Sequence, residues 1–399
     1  MKYVILGDSF TTGHHDVFFG LYIQLFVELG YAVRFFSPNE KKIWSQLPAS
    51  CKTHVTPYHC HDYVSITACK VYDINHFLSA LWLWAESIIR IWGIVIKQKQ
   101  FPTLVFFLWL DHYMDPHISG ILITILFPFA WSGIYFHPRH IRERRNTSGL
   151  PYYRPDNALR SKNCKCVAVL DETIASDMEK YLNHKPVIVI PDISVTDKAE
   201  TRFPLYKEIR KKAGNRKIVA CLGSIEKRKS TLFLSEVSKK LIHDAYYFIF
   251  IGRVYEEWFL PDELQKFREF IQNPPKNCFV YPHAVTDTQI NSLIQLSSVI
   301  FLGYTNFYHS SNILIKAGIF KRPVVVFDTN FCSAARTKAY HLGAVIRDGS
   351  VSQCVHAIER LTHPAGDQYS QNQSRQLFTS TYSYSNLRKT IRSMLNYYV

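Results

Sequence analysis

Apolar residues fall in short dense runs, separated by polar loops and by segments of helical period. YVILGDS (3–9) predicts a buried strand, because a brief apolar run closes on polar residues. A Thr/Gly/His loop follows, then an apolar helix from about 16 to 29 that Gly30 ends. YAVRFFSP (31–38) predicts the next strand, which completes a βαβ opening. The Gly13-His14-His15 loop then lies at a strand's carboxyl end, where open sheets hold ligands; an ordinary turn is the plainer reading. FPTLVFFLWL (101–110), KCVAVLD (165–171) and PVIVIPD (186–192) predict further strands.

The pattern changes after 192. Residues 193–216 are polar and rich in Lys and Arg, which predicts a linker and a short helix. A second array follows: strand 217–224, loop IEKRKS, helix 231–241, strand 247–254, a long charged helix, strand 277–282 and helix 286–296. It continues with strand 298–304, a polar loop at 304–311, a helix, strand PVVVFD (323–328) and a helix near 351–361, before a polar tail. Two βα arrays joined by a linker predict an α/β chain of two Rossmann-like domains facing across a cleft. The boundaries expected are 1–195 for the first domain, 196–380 for the second and 381–399 for a C-terminal tail or helix.

Two segments are apolar enough to raise the question of a membrane. Residues 77–97 are rich in Leu, Trp and Ile but carry Glu86 and Arg90. Residues 118–136 carry no charge, yet Gly120, Pro128 and Gly133 interrupt them. The second segment predicts a buried helix, a turn at 127–131 and a strand, since covered α/β interiors also give continuous apolar runs.

Length and composition then narrow the class. At 399 residues the chain exceeds one ordinary domain, and its 47% hydrophobic content excludes a disordered protein. The formal charge of +15 is uneven: residues 1–200 carry +2 and residues 201–399 carry +13. A basic half-chain fits an acidic partner, namely a phosphorylated ligand, an anionic membrane surface or nucleic acid. No recognisable nucleic-acid module organises the Lys and Arg residues, so nucleic acid is not expected. Nine scattered cysteines, and an N-terminus without the apolar run of a signal peptide, fit free thiols in a reducing cytoplasm.

The candidate chemistry sits in loops. In 301–328 a strand, a polar loop and a helix follow one another, and Ser310 and Ser311 are good cap residues at a helix start that attracts anions. They could equally be caps and no more. Arg228 and Lys229 precede a helix; a solvated turn is the alternative. Asp111 and His112 follow a strand, where catalytic residues gather, although an N-cap Asp serves as well. His54, His59, His61, Cys51, Cys60 and Cys69 match no common zinc spacing, so no metal is expected. The basic run HPRHIRERR (137–145) reads as a solvated helix start, or as a stretch that lines a cleft or meets acidic lipid.

Several of these stretches together carry a family resemblance. LGSIEKRKSTLFLSE, IFIGRV, FVYPHAVTDTQINSLIQLSSVIFLGY, NFYHSSNILIKAGIFKRPVVVFD and GDSFTTGHH resemble segments of GT-B glycosyltransferases of the family-4-like group, also called group 1. WSGIYFHP and VIPD are similar to their connecting motifs. The resemblance implies a metal-independent, retaining hexosyl transfer from a nucleotide diphosphate-sugar to an acceptor hydroxyl, with no further cofactor. A glycan or lipid-linked acceptor, cell-surface polysaccharide or glycolipid synthesis, and a cytoplasmic protein with peripheral contact to an anionic membrane go with it. It places the donor at Gly13, His14, Ser224, Arg228, Lys229, Arg253, His283, Ser310, Ser311, Asn312 and Lys316, and adds Tyr308 to Asp111 and His112 as catalytic candidates. The chain departs from the pattern where the family carries two glutamates, here Tyr308 and Lys316. It departs again at Ser224, where a basic residue is common, and at Ser230, where Gly is usual. An ammonium can only donate, so Lys316 cannot accept from ribose hydroxyls. These departures support a second expectation, a non-catalytic nucleotide-binding or scaffold protein of the same fold.

Overall fold

Seven of the short apolar runs assemble in the first half of the chain, all pairing in parallel. They are β1 (Tyr3–Gly7), β2 (Ala32–Ser37), β3 (Val55–His59), β4 (Leu104–Phe107), β5 (Trp131–Gly133), β6 (Val167–Val169) and β7 (Val187–Val189). The structure is a computed structural model that describes residues 2–8, 15–61, 74–138, 140–141, 155–194, 196, 199–241, 245–329, 331–363 and 373–398. The chain divides into two units, Met1–Ile190 with Leu387–Val399, and Pro191–Asn386.

In the first unit the strand order is β3-β2-β1-β4-β5, and β6 pairs with β7. Single bridges, Trp131 to Cys164 and Ile134 to Ala168, continue β5 toward β6. The chain steps outward from β1 to β3, then jumps back to β4 beside β1. With right-handed crossovers, helix His15–Glu28 covers one face, and helices Ile74–Gln98 and Gly120–Leu126 cover the other. The core on that second face centres on Trp84. Its ring meets Phe107, Tyr113, Phe127 and Trp131 edge-on at centroid distances of 5.2–5.7 Å, and its indole N–H donates to the Tyr113 carbonyl at 3.0 Å.

The second unit holds one parallel sheet of β8 (Lys217–Leu222), β9 (Tyr246–Ile251), β10 (Cys278–Tyr281), β11 (Val299–Leu302), β12 (Val324–Phe327) and β13 (Gly343–Ile346). Its order is β10-β9-β8-β11-β12-β13. Both faces are covered by helices, and the inner strands are buried apart from the first residues of β8 and β9, as the sequence pattern requires.

Some elements differ from expectation. β3 contains Pro57 and lies at a sheet edge, where a weak pattern suffices. Helix Phe331–Ala339 escapes an apolar reading because it buries Ser333, Arg336 and Thr337. The polar tail is two helices, Gln373–Thr381 and Tyr384–Leu395, whose buried positions (Phe378, Leu387, Ile391, Met394) recur at helical spacing. The helix expected to be buried within 118–136 is Gly120–Leu126, and it turns four aliphatic side chains outward. An uncharged run looks alike on both faces, so hydropathy alone did not separate them.

Candidate functional site

The strand order of the second unit reverses between β8 and β11, which makes the carboxyl ends of these two strands a topological switch point, the place where open α/β sheets hold ligands. The β8 loop begins at Gly223, whose φ of 90° lies in the region that favours glycine. The chain leaving β9 passes so close that a Cβ on Gly252 would stand 1.8 Å from the Gly223 carbonyl oxygen. Two backbone bonds lock the crossing, Ile225 N–H to the Arg253 carbonyl at 2.7 Å and Tyr255 N–H to the Ile225 carbonyl at 2.9 Å.

Arg228 and Lys229 lie in this held loop, within a single 3-10 turn. The Arg228 guanidinium sits 4.5 Å from the Phe307 ring centre and 5.7 Å from that of Tyr304, and it pairs with Glu226. The Arg228 carbonyl accepts from Thr305 N–H at 2.8 Å, which ties the β8 loop to the β11 loop across the switch point. Lys229 is buried; its ammonium donates to the Leu222 carbonyl at 2.8 Å and lies 5.4 Å from the Tyr304 ring centre. Burial above all, with neighbouring Arg228, lowers its pKa to about 8, against the pull of Cys221 and Glu226. The Ser224 hydroxyl donates to Glu226 at 3.2 Å. Ser230 has φ 49° and ψ 41°, the left-handed conformation, which explains why glycine is the residue this turn favours.

The β11 loop runs into helix Asn312–Ile319. Ser311 is a working N-cap, accepting from Leu314 N–H at 3.3 Å. Ser310 accepts from the Arg336 guanidinium and hydrogen-bonds Asp192. Burial pushes the Asp192 carboxyl up, while Ser310 and Arg336 act the other way. Asn312 accepts from the Ser194 hydroxyl at 2.9 Å. Lys316 is 1% exposed and its ammonium meets the Asp287 carboxylate at 2.7 Å. Asp287 opens helix Asp287–Leu296 behind the Thr286/Gln289 capping box. Lys316 therefore neither turns to solvent nor stands ready for a phosphate; its charge is taken by a neighbouring helix.

The structure brings Ser224, Arg228, Lys229, Ser310, Ser311, Asn312 and Lys316 to the loops and helix at this switch point. Arg253 stands beside them at the end of β9, exposed and 5.1 Å from the Tyr255 ring centre. His283 lies exposed past β10 against Tyr281, and Tyr308 stacks on Phe331 at 6.1 Å. Four residues of this constellation went unnoticed in the sequence: Glu226, Tyr304, Phe307 and Asp287. A charged or aromatic residue flanking a glycine loop is a faint signal. Nothing local could pair Asp287 with a lysine 29 positions away.

In the first unit Asp111 and His112 follow β4, which flanks that unit's own switch point between β1 and β4. Asp111 accepts from Phe136 N–H at 2.9 Å, from His137 N–H at 2.7 Å and from the His137 ring at 2.7 Å. Burial works against its charged form, but His137 and the backbone N–H outweigh it and hold the pKa below the usual carboxylate range. Asp111 thus orients His137. Gly13 and His14 lie outside the described residues, as do Cys69 and residues 139 and 142–145 of the basic run. His59 and His61 each pair with a separate carboxylate, Glu40 at 2.9 Å and Glu86 at 2.8 Å.

No family model matches the sequence, and no curated protein matches it. Solved structures match nearly all of it. An α,α-trehalose-phosphate synthase (UDP-forming) from Burkholderia vietnamiensis aligns with a TM-score of 0.70 and 12% identity, over 99% of this chain and 98% of that one. Sucrose-phosphate synthase from Thermosynechococcus elongatus aligns at 0.68 and 10% over the same shares. HepE from Anabaena, solved with UDP and glucose, aligns at 0.66 and 12%, over 99% and 100%. The fold is GT-B. In a GT-B chain the five-stranded and six-stranded parallel sheets are the centres of two Rossmann-like domains, and the basic constellation described above belongs to the six-stranded one.

Proposed function

We propose that the chain is a glycosyltransferase that moves a sugar from a nucleotide diphosphate-sugar to an acceptor hydroxyl. The observation that carries this reading is the Arg228–Lys229 pair, held on aromatic rings beside a glycine loop at a topological switch point. Departure of a nucleoside diphosphate builds negative charge. Fixed cations and the N–H groups at the start of helix Asn312–Ile319 lower the barrier by meeting that charge without reorganising. Four of the solved structures similar to this chain are described by UDP chemistry, one of them holding UDP-glucose itself. In this reading the reaction needs no metal and retains configuration, and its product is a surface glycan or glycolipid. His112 and Tyr308 are the catalytic candidates, and Asp111 acts through His137.

The test uses the pKa of Lys229. Its ammonium must be charged to meet a phosphate, so affinity for a nucleoside diphosphate should fall as pH rises above about 8. Titration calorimetry with UDP, GDP and ADP at pH 7 and pH 9 measures this. Lys229→Met should weaken binding by roughly 1–3 kcal/mol at pH 7 and abolish the pH dependence. A variant that binds all three like the wild type would remove Lys229 from the site.

The Lys316–Asp287 ion pair favours a second reading, a non-catalytic protein of the same fold that binds nucleotides. The position where related enzymes hold a carboxylate toward the donor here holds a neutralised cation. Nucleotide binding without donor hydrolysis or transfer by the purified protein would decide for it.

A further inference from the structure

Helix Ile74–Gln98 buries one face and bares the other. Its inner side (Leu83, Trp84, Ile91, Ile94) packs into the core of the first unit together with buried Glu86 and Ser87. Its outer side carries Leu78, Trp82, Ile89, Trp92 and Ile96, positions that fall within less than half a turn of the helix, with Ile89 71% and Ile96 72% exposed. Helix Gly120–Leu126 covers the same face of the sheet and adds Ile121 at 77%, Ile125 at 71%, Leu122 and Leu126. The two rows join: the Trp92 ring stands 6.0 Å from Phe101 and 5.1 Å from Phe129, which follows the second helix. Of 18 large exposed hydrophobic side chains among the described residues, 11 lie within 78–126, so the apolar surface is one patch rather than scatter.

The charges around the patch are sorted. The acids within 76–138 are turned inward to partners: Glu86 to His61 and Arg90, Asp111 to His137, Asp115 to His76 and His117. Exposed lysines stand at its ends. Lys97 sits in the last turn of the long helix and Lys99 just past it, and Lys162 lies beside the short one, where its N–H bonds the Thr124 hydroxyl. One helix among the described residues, over His76–Gln98, is long and apolar enough to cross a membrane. Its buried half and its buried Glu86 keep it in the fold.

We infer that this face docks on the surface of a lipid bilayer with anionic headgroups, the aliphatic and tryptophan side chains entering the acyl boundary and the lysines meeting the headgroups. A second copy of the chain fits less well, because a two-fold contact through this patch would bring like-charged rims together. The inference does not rest on sugar transfer, since docking needs no donor.

Co-sedimentation of the full chain tests it, using phosphatidylcholine vesicles with and without roughly 30 mol% phosphatidylglycerol. The wild type should pellet with the anionic vesicles, less with the neutral ones, and the bound fraction should drop several-fold at high salt. Ile89→Asp/Ile125→Asp should lower binding about tenfold with an unchanged thermal midpoint, because both side chains are exposed. If that pair fails to fold, Ile89→Ser/Ile125→Ser should show the same direction of loss. The inference is overturned if the wild type ignores anionic vesicles at low salt, or if the folded variant pellets equally well. A lipid-free dimer of the wild type that the variant abolishes would assign the face to protein association instead.

Discussion

At the scale of single residues, the two unexpected features of the β8 and β11 loops are charge taken inward and a strained turn. Lys316 and Asp287 form a pair in which the lysine is almost wholly buried. Removing one partner from such a pair leaves an uncompensated charge, which costs about 3–5 kcal/mol. Lys316→Glu sets two carboxylates together and should cost about that much in urea unfolding, with Lys316→Glu/Asp287→Lys recovering at least half. A Lys316→Glu protein of wild-type stability would mean that Asp287 does not hold the ammonium. Ser230 is left-handed, so Ser230→Gly should stabilise by about 1 kcal/mol, read from the shift of the denaturation midpoint at constant slope. Lys229 gives a pH signature. Its folded pKa of about 8 lies below the ordinary 10.5, so between these values the unfolded chain holds the proton more tightly. Stability should therefore rise with pH across that window, by on the order of 3 kcal/mol. Lys229→Met should flatten the rise in parallel denaturations at pH 8 and pH 10.

At the scale of elements, legibility followed burial. β4, β8, β9 and β12 are covered on both faces, and their continuous apolar runs announced them. The two-array order and the loop positions of Arg228, Lys229, Ser310 and Ser311 were legible for the same reason, because strand ends locate the loops. Helix Phe331–Ala339 was not, since beside the small Cys332 and Ala334 it buries Arg336, pointed at Ser310, with Ser333 and Thr337. Aromatic support of Arg228 was also hidden: Tyr304 and Phe307 arrive from a loop 76–79 residues away. Helix Ile74–Gln98 shows that hydropathy states how much is apolar, while only the fold states which face meets the core. Its inner face depends on Trp84, which touches four aromatic rings. Trp84→Ala should cost about 3–5 kcal/mol, more than any substitution on the bare outer face, and unfolding of the two variants side by side measures the contrast.

At the scale of the molecule, the chain ends where it began. Residues Leu387–Val399 belong to the first unit although 191–386 form the second. The return is fastened by the Tyr398 hydroxyl, which donates to the Trp131 carbonyl at 2.9 Å and accepts from Cys166 N–H at 3.3 Å beside the β5–β6 junction. Arg388 reaches Glu28 at 3.6 Å, and Leu387, Ile391 and Met394 are fully buried. Burying each such side chain contributes about 1.5–3 kcal/mol, a sum comparable with the whole stability of a domain. Truncation after Asn386 should therefore destabilise the first unit far more than the second, even though the deleted residues follow the second in sequence. Hydrogen exchange read by segment distinguishes the two. The expected result is faster exchange in β1, β4 and β5, with β8, β9 and β11 unchanged. Equal protection of β4 and β5 in the truncated and full-length chains would show that the C-terminal helix only covers the first unit and does not complete its core.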